Sequence, residues 1–166
     1  QKSQALAYLQ PWITKGFQND RLFQCYAYLL DQRGNHNEAL YYLEQACELD
    51  PCNVDFWFHR GIVLTRLQRL SEAHQIFREV LMRRADNPDG WLALGVVLRH
   101  LSEPEAAIAA FDKALALSPS HPLAFFHQAG CHARLGREDW AIEHLRRALS
   151  LDARTYAELF AEPLER

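Results

Sequence analysis

The sequence predicts an all-α protein, a solenoid of four helix–turn–helix units with an extra helix at each end. Three observations predict it: a fixed 34-residue period, two amphipathic helices within each period, and turn chemistry between them. The stretch from Asp89 to Pro119 carries all three. Trp91, Leu94, Gly95 and Leu98 fall at offsets of three, four and seven, so they share one helical face. Ser102, Pro104 and Glu105 form a helix-start signature: a capping hydroxyl, a proline in the first turn and an acid three residues on. The second helix sets Ala107, Phe111 and Ala114 on one face, and Pro119 stops it. Such a hairpin buries one face of each helix, so it needs neighbours of its own kind.

Those neighbours recur without insertion. At steps of 34 residues the aromatic returns as Phe23, Trp57, Trp91 and Phe125. The small residue four later returns as Ala27, Gly61, Gly95 and Ala129. In the second helix one column reads Ala39, Ala73, Ala107, Ala141, another Leu43, Phe77, Phe111, Leu145, and a third Ala46, Val80, Ala114, Ala148. The pattern of a Trp, then Leu-Gly, then Ala, Phe and Pro resembles the tetratricopeptide repeat (TPR) over residues 20 to 153, most closely in the third unit. The resemblance implies stacked antiparallel helix pairs coiling into a right-handed superhelix with a concave groove.

The elements follow in order within a single domain of residues 1–166. Residues 1–19 hold the second helix of an earlier, partial unit, because Ala5 and Leu9 stand one period before Ala39 and Leu43. Either it caps the array or the array continues upstream; Pro11 is expected to end or kink it. The units span 20–53, with Gly34-Asn35 in the turn, then 54–87, 88–121, which opens on Asn87-Pro88, and 122–153. Beyond Leu151 the period breaks, and Tyr156, Leu159 and Phe160 suit a capping helix over 154–166. Trp140 stands in a column otherwise filled by Glu38, Glu72 and Ala106, so its indole is expected to pack on that cap.

Composition narrows the function. With 49% hydrophobic and 23% charged residues over 166 positions the chain suits one continuous core. A net charge of −3 gives no general attraction to nucleic acid or membranes. No apolar run approaches the roughly 20 residues that span a bilayer. The first residue is Gln1 and no signal-peptide pattern follows it, so any targeting segment upstream would not be visible. Cys25, Cys47, Cys52 and Cys131 lack paired spacing. All but Cys52 fall in helices, so they read as free, buried thiols of a reducing cytoplasm, a Cys47–Cys52 bridge being the alternative.

No phosphate-cradling glycine loop, nucleophile elbow or His-Glu-x-x-His motif is present, so neither catalysis nor a cofactor is expected. His127 and Cys131 stand one turn apart, but two ligands do not make a structural zinc site. His132, in a column of Leu30, Leu64 and Leu98, reads as a histidine bonded to backbone or to the capping helix. Arg60, where the third unit has Leu94, reads as half of a local ion pair.

Function must lie in columns the core does not use. By the resemblance, the first helix of each unit lines the groove beside the aromatic column. That face reads Gln24, Tyr28 and Gln32; Phe58, Ile62 and Arg66; Leu92, Val96 and His100; then Phe126, Gly130 and Arg134. Phe58, Ile62, Leu92, Val96 and Phe126 form an apolar strip, and Gln32, Arg66, His100 and Arg134, with Arg99 beside them, a largely cationic edge. Such a strip fits a partner's apolar peptide or helix, with the edge pairing its acids; alternatively the array packs part of the strip against itself. The expected role is a non-catalytic protein–protein interaction module, an adaptor, scaffold or chaperone-like binder. The rivals are self-association through the end faces and a regulatory segment of a larger enzyme. Two specific TPR functions do not carry over. The carboxylate clamp of heat-shock co-chaperones needs Lys and Asn where Gln24 and Tyr28 stand, and the later clamp positions hold His59, Asp89 and Ala93. The asparagine ladder of the O-linked sugar transferases would fall at Cys25, His59, Ala93 and His127.

Overall fold

A computed structural model describes residues 2–152; the capping helix expected over 154–166 lies outside the described residues. Among those described there are nine α-helices and no strand. The chain divides between Ala85 and Asp86 into two compact units. The first holds α1 (Lys2–Thr14), α2 (Asp20–Asp31), α3 (His36–Leu49), α4 (Val54–Arg66) and α5 (Leu70–Arg83). The second holds α6 (Pro88–His100), α7 (Pro104–Leu117), α8 (Pro122–Arg134) and α9 (Glu138–Leu151). Within each unit every helix packs on the next in sequence.

Local chemistry explains the hairpins. Asn19, Asn53 and Asn87 cap α2, α4 and α6, their side chains accepting from the amides of Leu22, Asp55 and Asp89. Each hairpin turn is a Schellman motif. The amides of Asn35, Arg69, Glu103 and Arg137 donate five residues back, to the carbonyls of Leu30, Leu64, Leu98 and His132, at 2.9–3.0 Å. The residue before each donor is left-handed: Gly34 (φ 84°), Gln68 (59°), Ser102 (66°) and Gly136 (69°). Ser102 is therefore a turn residue and not the cap expected of it. Glu103 stands at the N-cap of α7 without a side-chain bond, because the left-handed turn must precede it.

Pro11 does not end its helix, since α1 runs on to Thr14. The proline falls in the last turn and forfeits one backbone bond, and the residue whose carbonyl loses that bond, Ala7, is exposed to water.

The small columns are buried as their periodicity requires. Ala27, Gly61, Gly95 and Ala129 are buried, as are Ala46, Val80, Ala114 and Ala148. In the first unit Phe23, Ala46, Cys47 and Phe56 form one core cluster with Ile13, Tyr42 and Trp57 against it. Phe56 is 1% exposed, while Trp57 is only partly buried and donates to the Pro51 carbonyl at 3.1 Å. The indole nitrogen needs an acceptor, so Trp57 stays at the rim, under the Arg83 guanidinium 4.9 Å from its ring centre. In the second unit Phe125 and Ala148 are packed by Leu115, Phe126 and Leu149. Cys47 and Cys131 are buried, Cys25 and Cys52 exposed, and all four are free thiols. Cys25 departs from expectation because its position on α2 faces water.

Candidate functional site

The first helices of the hairpins carry the candidate face, α2 and α4 in one unit, α6 and α8 in the other. On α2, Gln24 is half-buried and Tyr28 exposed, and Gln32 at its C-cap is exposed; on α4, Phe58 and Ile62 are half-buried and Arg66 is exposed. These two helices enclose a cavity of about 140 Å³, lined among others by Tyr28, Gln32, Ile62 and Arg66. Phe58 has part of its ring against Phe77, 5.8 Å between centres. Gln24 Nε2 and His59 Nδ1 lie 3.1 Å apart, tying α2 to α4 across the cavity.

The polar end of that cavity is occupied by its own charges. Arg66 Nη1 donates to Asp31 Oδ2, and Asp31 Oδ1 lies 2.8 Å from His36 Nδ1. The Asp31 carboxylate is 8% exposed, so it needs these partners. The sequence reading missed Asp31. The repeat gave no signal of it, since none of its counterparts Thr65, Arg99 and Ala133 is buried.

In the second unit Leu92, Val96, Arg99 and Phe126 are half-buried, and His100 and Arg134 are exposed. Phe126, Gly130, Ile142, Leu145 and Arg99 line a cavity of about 300 Å³ with predominantly apolar walls. Gly130 opens it: the nearest atom to a β-carbon there would be Arg99 Nη1, at 3.8 Å. Arg134 is engaged, donating to the Arg99 carbonyl at 3.0 Å and to Ser102 Oγ at 3.2 Å. Arg66 and Arg134, one ladder in the sequence, each reach back 35 residues to the first helix of the preceding hairpin, α2 and α6. Arg99 differs. Among the described residues no carboxylate comes within ion-pair distance of it, and its Nε is buried without a hydrogen-bond partner.

The other singled-out residues have local partners. Arg60 pairs with Glu44 at 3.2 Å. His127 stacks on Phe111, 5.7 Å between centres, and burial beside Arg99, His100 and His121 pushes its pKa down to about 4. Burial raises the Cys47 thiol to about 11, which keeps it protonated and unreactive. His132 is buried, but its neighbours are the rings of Trp140 and His144. Among the described residues no three metal-ligating groups converge, and no helix is long and apolar enough to cross a membrane.

Models described as tetratricopeptide repeat match residues 66–122 and 92–158, and one described as TPR repeat matches residues 27–68. The chain belongs to the tetratricopeptide-repeat family. Its TPR relatives include human tetratricopeptide repeat protein 7A, 32% identical over 95 residues and 57% of this chain. Human protein O-mannosyl-transferase TMTC3 is 30% identical over 129 residues, 74% of this chain. The TPR chain spans 11% and 14% of the lengths of these two relatives. Among solved structures, a crystal structure of MamA superposes with TM-score 0.80 at 17% identity, covering 93% of this chain and 91% of that one. MamA 41-end from Desulfovibrio magneticus RS-1 gives 0.81 at 20%, covering 92% and 86%. At these identities the likeness is one of fold, the TPR solenoid.

Proposed function

We propose that this TPR chain is a non-catalytic protein–protein interaction module that holds an apolar, acidic segment of a partner on the first-helix face of its second unit. The observation that carries the reading is the cavity beside Phe126, apolar on its walls and bordered by Arg99. A buried apolar side chain contributes roughly 1.5–3 kcal/mol to association. A carboxylate next to it would meet a guanidinium that no acid of the described chain neutralises. In the first unit the corresponding Arg66 serves the chain itself, through Asp31.

Selection from a displayed random-peptide library tests this. The native chain should enrich peptides with a large apolar residue beside Asp or Glu. Phe126→Glu and Leu92→Glu should abolish enrichment with the helical circular dichroism unchanged, and Arg99→Glu should remove the acidic preference. Enrichment of the same peptides by all variants would sink the reading.

A second reading has one observation in its favour. TMTC3, named as a transferase, contains a region similar to this chain within a polypeptide of which the match is 14%. The chain would then be the binding segment of a larger enzyme, and the same groove would hold that enzyme's protein partner.

A further inference from the structure

The opposite face of α8 looks onto a second cavity, of about 370 Å³, between α7 and α9. Asp112, Gln128, His132, Arg137, Trp140 and His144 line it. Four of these differ from the residue of every earlier unit. Gln128 stands where the earlier units have Tyr26, Arg60 and Leu94, and His132 where they have Leu30, Leu64 and Leu98. Trp140 replaces Glu38, Glu72 and Ala106, and His144 replaces Tyr42, Ile76 and Ala110. A solenoid unit that needed only to stack would keep leucine at 132, because that position faces the core.

Two of the polar replacements keep a buried atom with no partner among the described residues. Gln128 is 1% exposed; its Nε2 donates to Asp112 Oδ1 at 2.6 Å, and its Oε1 is buried with no partner among the described residues. His132 Nδ1 is likewise buried and unpartnered. A buried acceptor without a donor lowers stability, a cost that the Leu94 of the third unit does not carry. His144 Nδ1 sits 2.7 Å from the Trp140 carbonyl and donates to it, which leaves the second nitrogen of the neutral ring an acceptor. Trp140, 59% exposed, stacks one face of its indole on His132.

The site therefore offers acceptors and an aromatic wall: an amide oxygen, a carboxylate, imidazole nitrogens and an indole. It suits a flat cation bearing several N–H groups. We propose that this pocket binds the guanidinium of an arginine side chain carried by a partner polypeptide. The plane lies along the indole, and the N–H fork reaches Gln128 Oε1 and the Asp112 carboxylate. Arg137 is exposed at the rim. The two imidazoles accept the ligand only while neutral.

The test titrates the capped amino acid N-acetyl-arginine methylamide and follows the indole N–H signals of the four tryptophans by NMR. The Trp140 signal should shift saturably. The neutral citrulline analogue should bind about tenfold more weakly, having lost its charge-assisted bonds. Acidification below pH 6.5 should weaken arginine binding as His132, whose pKa burial holds below its ordinary 6.5, takes up a proton, with His144, Arg137 and Asp112 the other groups facing it. Gln128→Leu, which restores the residue of the third unit, should remove the response with the fold intact; His132→Leu gives the same check if that variant is unstable. No saturable shift, equal binding of citrulline, an undiminished response in a folded variant, or binding that strengthens on acidification would each overturn the assignment; the last would mark an anion site.

Discussion

Gly61 leaves its α-carbon bare against the ring of Phe77: a β-carbon there would lie 2.7 Å from Cε1 of that ring. Gly95 meets Phe111 in the same way one period later, with 2.7 Å to Cδ1. Both rings are at most 1% exposed, so neither can swing aside. Gly61→Ala should therefore destabilise despite the helix propensity that alanine adds, by about 1–3 kcal/mol. Gly95→Leu should cost more, and urea denaturation of both variants measures it.

Gln68 holds a left-handed conformation, φ 59°, at a turn position where Gly34 and Gly136 stand in other units. A side chain there costs of order 1 kcal/mol. Gln68→Gly should raise stability by about that amount, and thermal unfolding reads it directly. Ser102→Gly should gain less, since the hydroxyl bonds Arg134 at 3.2 Å.

Asp31 accepts from Arg66 and pairs with His36, all within the first unit. Asp31→Ala should destabilise by about 1–3 kcal/mol, because two polar groups lose their shared acceptor. Arg66→Ala should cost less, its side chain being 42% exposed. A double-mutant cycle should show coupling between the two residues; simple additivity would count against the pair.

His127 has its pKa lowered from 6.5 to about 4, chiefly by burial. The unfolded chain therefore binds this proton first, and the stability tied to neutral His127 is complete above pH 6.5 and lost as pH falls toward about 4. The slope from this one group approaches about 1.4 kcal/mol per pH unit within that window. His127→Ala, the residue of the third unit at that position, should flatten the acid limb of a urea-midpoint profile. An unchanged profile would place the acid sensitivity elsewhere, among groups such as His59, whose pKa burial also lowers.

Cys25 and Cys52 should react at once with a thiol reagent, and Cys47 and Cys131 only on unfolding. Two fast and two slow equivalents are expected in a time course; four fast equivalents would contradict the burial of Cys47 and Cys131.

The period, the hairpins and the buried small-residue columns were legible in the chain itself. Helical geometry converts a spacing of three, four and seven into a face, and a hairpin with one apolar face per helix has only neighbours like itself to pack on. The turns were half legible. Gly34 and Gly136 announced the left-handed residue, while Ser102, in the same column, read as a cap because its hydroxyl suits that role in other surroundings. What only tertiary structure decided was the state of the polar groups. Arg66, Arg134 and Arg99 read alike as a cationic edge, yet one pairs with a buried acid, one caps a helix carbonyl, and one meets no acid among the described residues. Gln128 and Asp112, 16 residues apart, meet only because α7 and α8 pack side by side. Burial follows from periodicity, a property of spacing along one helix. A hydrogen bond or an ion pair depends on a few ångströms between side chains on different helices, and spacing along the chain does not encode that distance.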